Sequence, residues 1–188
     1  MQIPAKAIAA LFFLLLSPPA AAHAQSSADP AWTAAAIVGF GRTWDDESQI
    51  GNGVLLGARL DGRLGAGFWI DGSLDWLRHN RDEGAFQAEG HTTLLGAALK
   101  GRFGSAATHG YVLAGPVIAF HAATNTFDGV ARDLDSTDTG ISFGGGFAST
   151  VGGQFEIGPD ARMTILWAGD DSAPAYAIYG GVRIATTR

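Results

Sequence analysis

The sequence has 188 residues, 47% of them apolar and only 16% charged, with 27 glycines and no cysteine. So little charge beside 11 Phe and 5 Trp excludes intrinsic disorder, because there is ample apolar surface to bury. The missing cysteine excludes a disulfide scaffold or a thiolate metal site, and 12 basic against 18 acidic groups argue against a nucleic-acid partner.

The elements begin with an export signal. Lys6 gives a positive start, Ile8 to Leu16 form an unbroken apolar run, and Ala22-His23-Ala24 has the small-x-small shape of a cleavage site. Nine apolar residues are too few to span a bilayer as a helix, which needs about 20. Residues 1–24 are therefore expected to be a signal peptide, 25–31 a short N-terminal segment and 32–188 one domain.

From Trp32 onward apolar residues alternate with small or polar ones, the period of strands. Eight strands are predicted: Trp32–Trp44, Gly53–Arg63, Ala66–Arg78, His91–Phe103, Gly110–Ala122, Gly140–Ile157, Ala161–Ala168 and Ala175–Ala185. Their connections alternate in character. Leu64-Gly65, Gly104–His109 and Gly158-Pro159-Asp160 are short, whereas Asp45–Asn52, His79–Gly90 and Ala123–Thr139 are longer and acidic. Short turns at one end and long loops at the other describe an up-and-down meander.

The face of each strand then decides its surroundings. One parity holds Phe68, Ile70, Leu74 and Trp76, then Leu95, Leu99 and Phe103, then Ile141, Phe143 and Phe147, then Ile178, Val182 and Ile184. The other is rich in Gly and Ala and carries the charges; Leu55, Leu77 and Leu113 depart from that rule. A water-soluble barrel puts its apolar side chains inside, so this pattern is the one expected where lipid is the outer solvent. The fold expected is all-β, an eight-stranded antiparallel up-and-down transmembrane β-barrel.

The lumen parity collects Arg59, Asp61, Asp71, Asp75, Lys100, Arg102, Glu156, Arg162 and Arg183, five bases and four acids. Unpaired buried charges are expensive, so the mixture is read as a hydrogen-bonded ion-pair network filling the lumen, with a gated polar conduit as the alternative. Aromatic girdles are expected from Trp32, Phe103, Tyr111 and Phe155 at the short-turn end, and from Trp44, Trp76, Phe120, Phe143, Trp167 and Tyr176 at the loop end. Asp133-x-Asp135-x-x-Asp138 lacks the glycine and closing glutamate of a calcium loop and reads as a solvated acidic loop. His79 and His91 flank one long loop and could approach each other, but no set of residues converges as metal ligands. No catalytic residue, cofactor or metal is assigned.

Tyr111-Val-Leu-Ala-Gly-Pro-Val-Ile-Ala119, Gly144–Glu156 with the turn Gly158-Pro-Asp160, and the closing strand Ala175–Ile184 give the chain a resemblance to the small Gram-negative outer-membrane β-barrel family, similar to the transmembrane domain of outer membrane protein A. The resemblance implies a non-enzymatic integral protein of the cell outer membrane with a structural or surface-interaction role. Its expected partners are outer-membrane lipid, lipopolysaccharide and, during biogenesis, the barrel-assembly machinery, with no nucleic acid and a monomeric state. Two departures stand out: past Ile184 the sequence reads Ala-Thr-Thr-Arg188 rather than an aromatic residue, and no peptidoglycan-binding domain is expected beside the barrel. Lipid A deacylases, also barrels, carry a His-x-Ser-Asn motif. His121-Ala-Ala-Thr124-Asn125 supplies its histidine and asparagine without the serine, so a deacylase is kept as an alternative, as is a soluble ligand-binding barrel.

Overall fold

The computed structural model describes residues 31–44, 49–83, 86–153, 155–167 and 174–187. The expected signal peptide lies outside them, as do Asp45, Asp46 and Glu47 of the first acidic loop. The strands are β1 (Trp32–Trp44), β2 (Gln49–Gly65), β3 (Phe68–Glu83), β4 (Phe86–Gly104), β5 (Thr108–Phe127), β6 (Val130–Val151), β7 (Phe155–Trp167) and β8 (Ala175–Thr187). Each pairs antiparallel with its neighbours in sequence, and β8 closes on β1.

Alternation sends every second side chain inward. Phe40, Leu60, Ile70, Leu99 and Val182 are half or more exposed on the outer wall, while Trp69, Asp71, Asp75, Leu55 and Leu77 are wholly buried inside. Register fixes the tilt. Followed from Thr33 through Asp61 and Asp71 and on around the sheet, the pairing returns to β1 at Thr43, ten residues further along. Such a stagger tilts strands by about 35–45° and leaves an interior that side chains alone can fill.

Several strands run longer than their sequence suggests. Ala123–Thr139, expected as a loop, is the top of a hairpin in which β5 and β6 continue to Phe127 and Val130 around Asp128-Gly129. Both turn residues have positive φ, 47° and 80°, the geometry whose twist matches that of the flanking strands and for which Asp-Gly is favoured. His79–Gly90 likewise belongs mostly to the paired ends of β3 and β4.

The turn expected at Gly158-Pro159-Asp160 lies instead at Gly152-Gly153, and Pro159 sits within β7. A proline gives the ladder no N–H, and the β6–β7 pairing has no bridges at Phe147 and Ala148, opposite Gly158 and Pro159. Pro116 on β5 coincides with a matching gap at Ala97 and Ala98 of β4. The sheet thus accepts both prolines where one ladder is already interrupted.

The leucines that broke the polar parity have a common destination. Leu55 and Leu77 pack with Ile37, Leu94, Val117, Leu166 and Tyr179 into an apolar layer across the lumen, and Leu113 joins Ala98 and Tyr111. Above that layer, toward the long hairpins, lie His79, Thr92, His121 and Asp138, and below it lie the ion pairs of the nine charged residues expected in the lumen.

Candidate functional site

The lower half of the lumen is built from the nine charged residues of the polar parity, none more than 9% exposed. Strand alternation brings them inward, and glycine gives them space: a Cβ on Gly57 would strike the Asp75 carboxylate, and one on Gly144 would come within 2.9 Å of Arg162 Cγ. The bonds run across the barrel as well as along its wall. Arg162 on β7 donates from Nη1 and Nη2 to Asp71 Oδ1 and Oδ2 on β3, both at 3.0 Å. Arg183 on β8 joins Asp61 on β2 at 2.9 Å to Glu156 on β7 at 3.1 Å.

Lys100 donates to Asp61 at 2.7 Å, and Arg59 to Asp75 at 2.6 Å. Arg102 donates to Glu156 at 3.3 Å and to His109 Nδ1 at 3.0 Å, which leaves the His109 ring proton on Nε2, 3.8 Å from Glu156. Charge-assisted bonds of this kind are about twice as strong as neutral ones.

Three interior groups, Asp160, Tyr111 and His109, were missed by sequence reasoning, while Trp69 falls on the lumen parity with Asp71 and Asp75. Asp160 accepts from Tyr111 Oη at 2.7 Å and from Arg162 Nε at 3.3 Å, so the network holds five acids against five bases and is neutral. Its position shares the parity of Glu156 and Arg162, a signal hidden by reading Pro159 as a turn. Tyr111 points into the lumen rather than to the girdle, with Lys100 Nζ 4.2 Å from its ring centroid. Trp69 lies under the Arg102 guanidinium at 4.7 Å, and His109 closes the short-turn end. Cations over rings are favourable, more so where water is excluded.

The other sequence candidates disperse. Phe143 pairs with Ala114 and Met163 at mid-wall rather than at the loop-end girdle, which Trp44, stacked on Tyr176 at 5.7 Å, helps to form. Asp133 and Asp135 lie on the outer face of β6 while Asp138 is buried inside, so the acidic triplet does not converge. His79 faces the lumen and His91 the outer wall beside Trp76, on opposite sides of the sheet. His121 Nδ1 lies 2.8 Å from Thr92 Oγ1, and Nε2 lies 3.0 Å from Asp138 Oδ2. That order resembles a hydroxyl, base and acid, but Thr92 is fully buried, and Asn125 is four residues along an extended strand, roughly 13 Å from His121.

An apolar outer wall, aromatic ends and an ion-paired interior define a membrane-spanning barrel. The chain belongs to the outer membrane protein β-barrel domain family, which matches residues 8–183. Among solved structures it is similar to Neisserial surface protein A, with 12% identity and a TM-score of 0.56 over 82% of this chain and 96% of that one. It is also similar to the attachment invasion locus protein Ail of Yersinia pestis (16%, 0.51, covering 82% and 99%) and to a major outer membrane protein of Thermus thermophilus (11%, 0.55, covering 82% and 99%). At these identities the likeness is one of fold. No curated protein sequence matches the chain. The protein is one of the outer membrane, and the short turns mark its periplasmic end, the long hairpins its extracellular end.

Proposed function

We propose that the protein is a non-enzymatic, non-conducting, monomeric barrel that serves as a structural element and carries hairpins at the cell surface. The observation behind this reading is the filling of the lumen. A neutral charged layer crosses it from β2 to β7 and β8, and an apolar layer containing Leu55 and Leu77, both 0% exposed, lies directly above. An ion following the lumen would have to break charge pairs and then cross a dry apolar layer, where the cost of losing hydration is several kcal/mol. Outer-membrane acyl chains contact the outward Leu, Ile and Phe side chains, and lipopolysaccharide lies against the extracellular aromatic belt. The fold class supports assembly through the barrel-assembly machinery.

Planar-bilayer recording tests the closed lumen: the refolded protein should give no discrete conductance steps, and reproducible steps would overturn the reading. Lipid A incubated with the protein should keep all its acyl chains by mass spectrometry. Loss of one, abolished by His121→Ala, would establish the deacylase instead.

A further inference from the structure

Where β4, β5 and β6 leave the extracellular aromatic belt, register sets their outward side chains in rows. Arg78 of β3 pairs with His91, His91 with Ala122, and Ala122 with Asp135. One row lower, Trp76, Thr93, Phe120 and Thr137 follow in the same order. Ala122 is the small residue at the centre. Around it the outer wall forms a hollow of about 430 Å³, bordered chiefly by His91, Thr93, Phe120, Ala122, Asp135 and Thr137. The three strands are paired to one another throughout this region, so the floor of the hollow is continuous.

The two sides of the hollow differ in charge. On the β4 side stands the His91 ring, 6.2 Å from Trp76, with Arg78 next to it in register. On the β6 side stands Asp135. One row higher, Asp133 already accepts from Thr124 Oγ1 at 2.8 Å, and Glu89 occupies the same row on β4. Alternation turns Arg132 and Asp138 to the opposite face of β6. A wholly anionic ligand would therefore meet Asp135, Asp133 and Glu89, and a wholly cationic one would meet Arg78. Two strand spacings, about 10 Å, separate His91 from Asp135. That span holds a phosphate and an ammonium joined by a short linker.

From this arrangement we propose that the hollow binds the phosphoethanolamine group of a membrane lipid. The phosphate accepts hydrogen bonds from the His91 ring, the Thr93 hydroxyl and the Arg78 guanidinium, while the primary ammonium donates to the Asp135 carboxylate and the Thr137 hydroxyl. A trimethylated ammonium has no N–H to give Asp135, and such cations favour a cage of rings over the single ring of Phe120. Below the hollow the outer wall continues as the pair Leu95 and Ile118, 52% and 40% exposed, against which the acyl chains lie. The inference rests on the reading of outer-membrane lipid as the partner of the outward wall, and it names the headgroup chemistry that one part of that wall selects.

The test is native mass spectrometry of the full barrel, released from a nonionic detergent after equilibration with two sets of lipids at equal concentration. One set is phosphatidylethanolamine, phosphatidylcholine and phosphatidylglycerol; the other is lipid A with and without a phosphoethanolamine substituent. In at least one set the phosphoethanolamine carrier should be retained about ten-fold or more over its relatives, the worth of one charge-assisted hydrogen bond. The set that shows it names the carrier, phospholipid or lipopolysaccharide. Asp135→Asn should erase the preference, and Asp135→Lys should turn it toward the anionic lipid, with unchanged gel mobility before boiling as the check on folding. Asp128→Asn, at the hairpin tip, should leave it as it was.

No discrimination within either set, a preference that survives Asp135→Asn, or displacement of the lipid by an equal concentration of soluble phosphoethanolamine would each overturn the proposal. Retention of every lipid alike would do so while leaving lipid contact with the outer wall standing, whereas retention of none would overturn both.

Discussion

Arg162 and Asp71, separated by 91 residues in the chain, face each other across the full width of the barrel and share two parallel hydrogen bonds of 3.0 Å. The fork of a guanidinium against a carboxylate fixes direction as well as distance. Arg162→Ala leaves the wholly buried Asp71 without that partner. Breaking one side of a buried pair costs about 3–5 kcal/mol, because the remaining charge stays out of water. Urea unfolding of the refolded protein in lipid vesicles should show that loss, and the double variant Arg162→Leu, Asp71→Leu should recover a large part of it.

Tyr111 is a smaller probe of the same layer. Removing its hydroxyl in Tyr111→Phe leaves Asp160 Oδ2 without a donor while Arg162 still serves Oδ1. A loss of about 1–3 kcal/mol is expected, the usual cost of an orphaned buried acceptor. The same unfolding titration should place this variant between the native protein and Arg162→Ala; an unchanged midpoint would contradict the assignment.

Two glycine substitutions separate lumen space from strand propensity. A Cβ on Gly146 would come within 2.7 Å of Tyr111 Cζ and press on the Pro159 carbonyl, whereas one on Gly101, at the outer wall, meets nothing nearer than Val112 Cγ2 at 4.0 Å. Gly146→Ala should therefore destabilise by about 1–3 kcal/mol, as overpacking does. Gly101→Ala should leave the unfolding midpoint within about 0.5 kcal/mol of native.

The outer wall gives the opposite test. Leu99 is 55% exposed and pairs with Ile70 in the apolar band. Leu99→Arg should lower stability in vesicles by about 2–4 kcal/mol, the cost of an arginine at mid-depth in lipid. In a soluble barrel the same change at an exposed position would do almost nothing, so vesicle unfolding of this one variant distinguishes the two architectures.

The sequence made the barrel legible because period-two alternation survives wherever one face meets lipid and the other a packed interior. Trp32–Trp44 was delimited correctly for that reason. Alternation fails above the membrane, where both faces of the β5–β6 hairpin are wet and the acids of Ala123–Thr139 read as a loop. The signal available there was local: Asp128-Gly129, a two-residue hairpin turn. Asp160 was lost to the strong association of Gly-Pro-Asp with turns, which a ladder gap overrides here. Which charge bonds which could not be read, since partners such as Asp61 and Arg183 meet only through the ten-residue stagger of the closed sheet.

That stagger has a consequence for biogenesis. β2 to β4 supply Arg59, Asp61, Asp71, Asp75, Lys100 and Arg102, and β7 and β8 supply Glu156, Asp160, Arg162 and Arg183, so each arc carries no net charge by itself. Yet Asp71, Arg102 and Asp61 reach Arg162, Glu156 and Arg183 only when the two arcs come together. A half-assembled sheet therefore keeps its ionic face hydrated and unlatched. The final seam between β1 and β8 acts as a clasp: once it shuts, the three cross-links form together, and reopening it would have to break them together.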